Sequence, residues 1–362
     1  MKLVFLADAR SIHIQRWIGF FNRQEDKTHL ISLEKPEVSV TETMYIQPRS
    51  RWDFAKYILA NKEIRELVKK INPDIVNAHF VPNYGLIGAG LKVKPLVVSA
   101  WGSDILVSAQ KSILHRKRAS WVLKKADWLT SDSLYLTEEM VKLGADPKKI
   151  SSFPLGVEEE FVTTATKRLC EKDVFTVVST RRLEPVYNLD LLIQAIPLVV
   201  KQTQKKVKFI IVGEGSRRKK LGEEVIRQGC SDWVEFRGSL KQEELIDLLR
   251  SADIYVSTSR SDSTSVSLLE AFASGLVPVV TDIPGNREWV KNGENGYLIP
   301  VDRPRVLAET ISHICENFSE LQKFVDHNMR LVREKTGYQN NLNILREKFL
   351  ELMEQKKFGQ DG

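Results

Sequence analysis

A chain of 362 residues is too long for one ordinary domain and ample for two. With 42% apolar and 28% charged residues, and no run of 18 or more apolar residues, it is neither a disordered chain nor a membrane-spanning one. The net charge of +7 is unevenly placed: residues 51–125 hold 14 Lys/Arg against 5 Asp/Glu, and the remainder is nearly balanced at 40 against 42. That basic stretch suits an acidic partner such as anionic lipid, polyphosphate or nucleic acid; it equally suits solvated helix faces. Cys170, Cys230 and Cys315 are isolated, without a CxxC pair, and none of the six His lies in an HExxH pattern. A reducing compartment, no disulfide and no metal site are expected.

The opening Met1–Asp8 resembles a signal peptide faintly, but its apolar run is too short, and Leu3–Ala7 is expected to be a buried strand. A helix follows over Ile14–Arg23, with Ile14, Trp17, Ile18 and Phe21 on one face, then a strand over His29–Leu33. Phe54–Ile71 is a long amphipathic helix stopped by Asn72-Pro73. Short strands are expected at Asp74–Ala78, Pro95–Ala100, Asp127–Ser131 and Ile150–Phe153, with helices between them. The order is βαβα, which implies a parallel sheet covered on both faces. The second half repeats it, with strands at Phe175–Ser179, Lys208–Val212, Trp233–Phe236, Ile254–Ser257 and Val277–Thr281, and helices including Leu189–Gln202 and Gln242–Ser251. From Arg303 on, the pattern is helical. The join is expected near Gly156–Lys172, where three glutamates and a Thr-rich stretch interrupt the periodicity. The expected domains are 1–165, 166–335 and a terminal helix over 336–362 that packs back on the first domain. Two such sheets facing each other across a cleft place ligands beyond the carboxyl ends of the strands.

The most informative segment runs from Ser259 to Gly275. A loop of small polar residues follows a strand and feeds a helix near Val266, and Gly275 is a natural C-terminal cap. Such a loop aims backbone N–H groups at an anion. Asp262 and Glu270 bracket it, so a diphosphate flanked by vicinal hydroxyls suits the place. An ordinary Ser-rich loop capped by Asp is the plain alternative for this loop alone.

Downstream stands Pro284-Gly285-Asn286-Arg287-Glu288. Asp262, seven residues, Glu270, a strand and this turn together resemble the signature of the retaining glycosyltransferases of family 4, which have the two-domain GT-B fold. Ser179–Glu184 resembles the family's Arg-bearing first loop, Ile211–Gly215 its Gly-rich loop, Val234–Gly238 its base-side segment and Lys291–Gly296 its closing turn. Asp74–His79 and Ala100–Asp104 resemble, more weakly, the acceptor-side segments. The resemblance implies an α/β fold of two doubly wound Rossmann-like domains facing a central cleft. It places Glu270 on the donor ribose, Asp262 on the transferred sugar, the amides near Ser265 and Val266 on the diphosphate, and Arg182 as its neutralising charge. Tyr187, Gly213, Gly215 and Arg237 complete the donor side, and His79 and Asp104 join Asp262 as catalytic candidates. Three departures stand out: the loop carboxylate is usually Glu, Tyr187 stands where a Lys is usual, and Asp8–His13 lacks the usual glycines.

His13 and Arg16, at i and i+3 near the first strand's end, are acceptor-side candidates that could equally be a solvated edge. Lys117, Arg118, Lys124 and Lys125 accompany Trp121 and Trp128, which suits either an interfacial surface or a normal amphipathic helix. The expected function is retaining transfer of a sugar from a UDP- or GDP-sugar to a glycan or lipid-linked acceptor hydroxyl, in cell-surface glycan or glycolipid synthesis. No cofactor, no metal and no nucleic acid are expected. The expected location is the cytoplasm, at the anionic inner face of a membrane. Two rivals remain open: an epimerase of the same fold, and a non-catalytic binder of nucleotide sugars.

Overall fold

The computed structural model describes residues 1–36, 41–50, 52–162 and 167–358. The chain divides into two units: Met1–Pro154 together with the chain from Gln339 onward, and Leu155–Tyr338. The expected boundary at 165/166 and the Thr-rich stretch beside it lie outside the described residues.

In the first unit, each apolar run foreseen becomes a parallel strand. β1 (Lys2–Leu6) is followed by α1 (Ile12–Arg23), β2 (Lys27–Ser32), β3 (Glu42–Tyr45), α2 (Asp53–Ile71), β4 (Ile75–His79) and α3 (Leu86–Leu91). Then come β5 (Leu96–Ser99), α4 (Ile113–Lys125), β6 (Trp128–Ser131), α5 (Leu134–Lys142) and β7 (Ile150–Ser152). The sheet order is β3-β2-β1-β4-β5-β6-β7, parallel throughout. The central strands are buried on both faces, as continuous apolar runs such as Leu3–Leu6 require, while the edge strands β3 and β7 are not. α1 buries Ile14, Trp17, Ile18 and Phe21, the stripe its period predicts. α2 stops at Asn72, whose φ of 50° is left-handed and precedes Pro73. Strand order reverses between β1 and β4, and ligands of open α/β sheets bind at such a switch point.

The second unit runs β8 (Val174–Ser179), α6 (Leu189–Gln202), β9 (Lys206–Val212), α7 (Arg218–Arg227), β10 (Val234–Gly238), α8 (Gln242–Ser251), β11 (Ile254–Ser257) and α9 (Val266–Ala273). It continues through β12 (Val277–Thr281), α10 (Pro284–Arg287), β13 (Tyr297–Ile299), α11 (Pro304–Glu316) and α12 (Gln322–Lys335). Its order, β10-β9-β8-β11-β12-β13, is again parallel, with the switch between β8 and β11. Two apolar clusters line the sheet: Phe175, Val177 and Phe209 belong to one, and Val178, Tyr255 and Phe272 to the other.

The last helix, α13 (Tyr338–Phe358), returns the chain to the first unit. Phe349 stacks on Phe21 with ring centres 5.4 Å apart, and Arg346 pairs at 2.8 Å with Asp26, whose carboxylate also takes the chain's amino terminus at 2.7 Å. Lys348 lies over the Trp128 ring at 3.7 Å. Trp128 is therefore covered by the terminal helix, with its indole N–H on Ser151, and is not part of an exposed basic-aromatic surface.

Candidate functional site

The Ser-rich segment of the second unit folds as a braced loop. It leaves β11 at the switch point and enters α9 with Ser265 as N-cap, whose Oγ accepts from the Leu268 N–H. Thr281 Oγ1 donates to the Ser259 carbonyl at 2.5 Å, and Asn286 Nδ2 donates to the Thr281 carbonyl at 2.8 Å. Trp289 Nε1 donates to Thr264 Oγ1 at 3.2 Å. The Pro284–Glu288 turn is thus a buttress for the loop. Gly285 shows how closely: a Cβ there would lie 2.2 Å from the Ser263 carbonyl oxygen and 2.4 Å from that of Asp262.

The neighbouring loops approach backbone to backbone as well. Gly213 has φ of +131°, and a Cβ on it would lie 2.4 Å from the Arg181 carbonyl oxygen; one on Gly215 would lie 2.4 Å from that of Leu183. Leu183 N–H bonds to the Glu214 carbonyl at 3.0 Å, which joins the loop after β8 to the loop after β9. Both glycines foreseen for the donor side are there because nothing larger fits.

Arg181, not Arg182, enters this cradle. Its guanidinium donates to Ser265 Oγ at 2.5 Å, to Ser267 Oγ at 2.9 Å and to Asp262 Oδ2 at 2.5 Å. Burial disfavours its charge, but Asp262 overrides burial and holds its pKa above the ordinary arginine value. The guanidinium lies over the Tyr187 ring, 4.3 Å from its carbon to the ring centre. Arg182 points to solvent, with a 76% exposed side chain 3.9 Å from Glu184. The two adjacent arginines part because residues leaving a strand alternate sides: Arg181 turns inward and Arg182, which the resemblance assigns to the diphosphate, turns outward. Arg237 is exposed and bonded to Glu235 at 2.7 Å, so the structure does not bring it to Asp262 either. Arg237 and then Lys208 hold the Glu235 carboxyl down at about 2. Glu270 is buried, 8% exposed, on the second turn of α9, and Val266 is that helix's first residue.

The first unit has its own constellation at the β1/β4 switch. His79 ends β4, and Nδ1 of its buried ring accepts from Trp101 Nε1 at 3.1 Å. The other nitrogen, Nε2, then carries the proton and has no hydrogen-bond partner among the described residues. Trp17 meets the His79 ring edge-on at 4.9 Å, and His13 stacks on Trp101 at 5.5 Å. Arg16 is half-buried one turn beyond His13 on α1. Phe80, just after His79, has φ of +70°, which is uncommon outside glycine, and opens a π-helical turn over Phe80–Gly85. A second π-helical turn, Asp104–Ser108, follows β5. Asp104 joins the two: its buried carboxylate accepts from the N–H groups of Val81 and Trp101 at 3.0 Å and of Ile105 at 3.1 Å. Both oxygens of this catalytic candidate are thus engaged by backbone.

Burial pushes His79 down to about 3; burial, and then Arg16, push His13 down to about 4. Both stay neutral in the fold but gain protons in the unfolded chain near pH 6.5. The unfolded chain then binds more protons, so each histidine costs stability as pH falls from 6.5 toward its folded value. Burial pushes Asp104 up to about 6, partly offset by its backbone bonds, so its contribution grows as pH falls from 6 to 3.8. Two histidines outweigh one carboxyl, and Tm should fall from pH 6.5 to pH 4. His79→Gln should show a shallower fall in melts across that range; an unchanged slope would contradict the neutral, buried assignment.

Comparison with known proteins agrees with this architecture. Residues 164–330 match the family model for glycosyl transferases group 1, and residues 2–133 match that for glycosyl transferase 4-like domains. The second unit thus resembles group 1 glycosyltransferase domains and the first 4-like domains. The fold is shared along nearly the whole chain with Anabaena HepE in complex with UDP: the TM-score is 0.80 at 17% identity, covering 97% of this chain and 100% of that one. Sucrose-phosphate synthase of Thermosynechococcus elongatus gives 0.83 at 13% identity, covering 97% and 99%. The chain has the two-domain GT-B fold.

Among curated proteins, the chain is 28% identical over 179 residues to the GtfA subunit of the UDP-N-acetylglucosamine–peptide N-acetylglucosaminyltransferase of Streptococcus parasanguinis, covering 48% of this chain and 34% of that one. It is 29% identical over 190 residues to the phosphatidyl-myo-inositol mannosyltransferase of Mycobacterium tuberculosis, covering 51% and 48%. The matched stretch spans about a third of the length of the GtfA subunit and about half that of the mannosyltransferase.

Proposed function

We propose that the chain is a retaining glycosyltransferase that moves a sugar from a UDP- or GDP-sugar to an acceptor hydroxyl. One observation carries the reading: at its switch point the second unit brings a buried guanidinium and Asp262 to the capped N-terminus of α9, with Glu270 buried on that helix's second turn. The α9 amides near Ser265 and Val266 take the diphosphate. Glu270 accepts from the ribose hydroxyls, and Asp262 faces the sugar. Gly213 and Gly215 let the backbone come close to the donor. The bond from the anomeric carbon to the diphosphate breaks with its electrons on the phosphate oxygen. The acceptor oxygen bonds to that carbon, and its proton passes to the leaving phosphate on the same face. Guanidinium charge and helix amides stabilise the leaving group, so no divalent cation is needed. UDP bound to HepE, and the UDP-N-acetylglucosamine in the GtfA subunit's name, support a uridine donor. On this reading the first unit binds the acceptor, with His79 and His13 at its switch point.

A panel of UDP, GDP, ADP and CMP tests the reading by thermal shift. At 100 times its Kd a nucleotide stabilises the folded state by about 2.7 kcal/mol. UDP or GDP should raise Tm, equally in EDTA and in Mg²⁺. No shift with any nucleotide would overturn the proposal.

The acceptor side is proposed to work at an anionic membrane surface, on a lipid-linked acceptor in glycolipid or cell-surface glycan synthesis. Among the described residues, no helix is long and apolar enough to cross a membrane. α4 buries Ala119, Val122 and Leu123 and leaves Ile113, Leu114 and Trp121 at 75%, 69% and 41% exposure. Lys117, Arg118, Lys124 and Lys125 lie on the same helix, and Trp52 is 82% exposed. Each basic residue at such a surface contributes roughly 1 kcal/mol. The chain should co-sediment with phosphatidylserine-rich vesicles at low salt, less at high salt, and much less with those four residues changed to Glu. No sedimentation at low salt would leave a soluble acceptor.

A further inference from the structure

Beside the turn Pro185–Tyr187 the second unit holds a groove of about 370 Å³, within the roughly 300–1,000 Å³ of small-molecule sites. Its walls come from the segments that follow strands: Asn188 and Asp190 open α6, Arg217 precedes α7, Arg260 follows β11 and Asp302 follows β13. α6 and α11 belong to one apolar cluster and α9 to the other, so the groove stands over a different helix layer from the proposed donor helix. Asn188, left-handed at a φ of 49°, is spent as a brace. Its Oδ1 accepts from Arg260 Nη2 at 3.0 Å, and its Nδ2 donates to the Val301 carbonyl at 3.0 Å. Arg217 is held by two bonds to Asp190, at 2.7 and 2.9 Å, yet its buried Nε–H has no hydrogen-bond partner among the described residues. A buried donor left idle is costly and calls for an acceptor.

The lining selects the chemistry of a ligand. Two arginines, Arg217 and Arg260, stand with two aspartates, Asp190 and Asp302, so the groove carries no net charge. Asp190, in the first turn of α6, already answers that helix end's partial positive charge. A phosphate or carboxylate finds no uncompensated cation here. Pro185, Leu191 and Val301 are the apolar part of the lining, too little to hold an apolar ligand. Gln194, exposed on α6, donates and accepts, Asp302 accepts and the arginines donate. Donors and acceptors set around a small apolar surface suit a neutral ring bearing hydroxyls, each of which donates and accepts at once. We propose that the groove is a second carbohydrate site, which holds a neutral oligosaccharide without taking part in bond making. A sugar oxygen accepts from the idle Arg217 Nε–H, hydroxyls bond to Asp302 and Gln194, and a C–H face packs on Leu191 and Val301. The site stands independently of the donor assignment; on the reading of the second unit as donor site, the sugars it holds belong to the glycan being extended.

Methyl NMR of the full chain reads the groove through the signals of Leu191 and Val301 while lactose, cellobiose, maltose and N,N′-diacetylchitobiose are titrated in turn. At least one disaccharide should shift both signals saturably, and equally with UDP or GDP in excess. Gln194→Ala and Asp302→Ala, both at exposed side chains, should each weaken that binding about fivefold or more. Gln194→Trp fills the groove and should abolish it, and all three variants should keep the nucleotide affinity of wild type. No shift of the two methyls with any of the four sugars, or shifts that survive Gln194→Trp, would overturn the proposal. So would inorganic phosphate moving these signals where the sugars do not, which would make the groove an anion site. Displacement of the disaccharide by UDP or GDP would place it in the donor site and equally overturn the second one. Absence of nucleotide binding in wild type, with the sugar shifts intact, would remove the donor site and leave the groove standing.

Discussion

Gly285→Val is expected to abolish nucleotide binding, although Gly285 is itself assigned no contact with the nucleotide. The Cβ would fall 2.2 Å from the Ser263 carbonyl oxygen and 2.4 Å from that of Asp262, and both atoms are backbone, so no side chain can swing away. Either α10 or the loop must move. α10 is tied to β12 through Asn286 and Thr281, and the loop is tied to β12 through the bond from Thr281 to Ser259. Overpacking of this kind costs about 1–3 kcal/mol of stability, and the nearest residues to yield include Asp262. The Tm should drop by several degrees, and UDP or GDP should no longer raise it. If Gly285→Val bound the nucleotide as tightly as wild type, the loop over 259–265 would not be the binding element.

Glu270→Ala is the second large effect. Glu270 is 8% exposed, on the helix whose N-terminus is proposed to hold the diphosphate. One carboxylate accepting from two ribose hydroxyls makes charge-assisted bonds worth about 1.5–3 kcal/mol, or roughly ten- to 150-fold in Kd. The 2′-deoxy nucleotide tells loss of these bonds from a collapsed site: it should bind wild type less tightly than the ribonucleotide, and Glu270→Ala should bind both equally. A variant that still prefers the ribonucleotide would remove Glu270 from the ribose.

Much of this arrangement is legible in the residues. The strands of both sheets announce themselves as apolar runs bounded by turn residues, because parallel strands are buried on both faces. β3 and β13 were not foreseen, and each has a plain reason. Glu42–Tyr45 has no fully buried residue and sits on a sheet edge, and Tyr297–Ile299 is only three residues long. The loop from β11 into α9 was legible because small polar residues, a helix pattern and Gly275 follow a strand in order. Its occupant was not: Arg181 and Arg182 are neighbours of identical chemistry, and only the packing of Gly213 on the Arg181 backbone and Tyr187 on its guanidinium shows which one is inside. The π-helical turns after β4 and β5 were equally hidden. Nothing local in Phe80–Gly85 marks a left-handed Phe80; the tertiary tie from Asp104 to the Val81 N–H helps to hold that turn.

The central claim is that the second unit holds the donor nucleotide at the loop leading into α9. Amide hydrogen exchange of the full chain, with and without the nucleotide that stabilises it, tests this most directly. Added nucleotide should slow exchange at 259–270 and around Gly213–Gly215, the segments proposed to line the donor site. Protection confined to the first unit, by a nucleotide that demonstrably binds, would contradict the account.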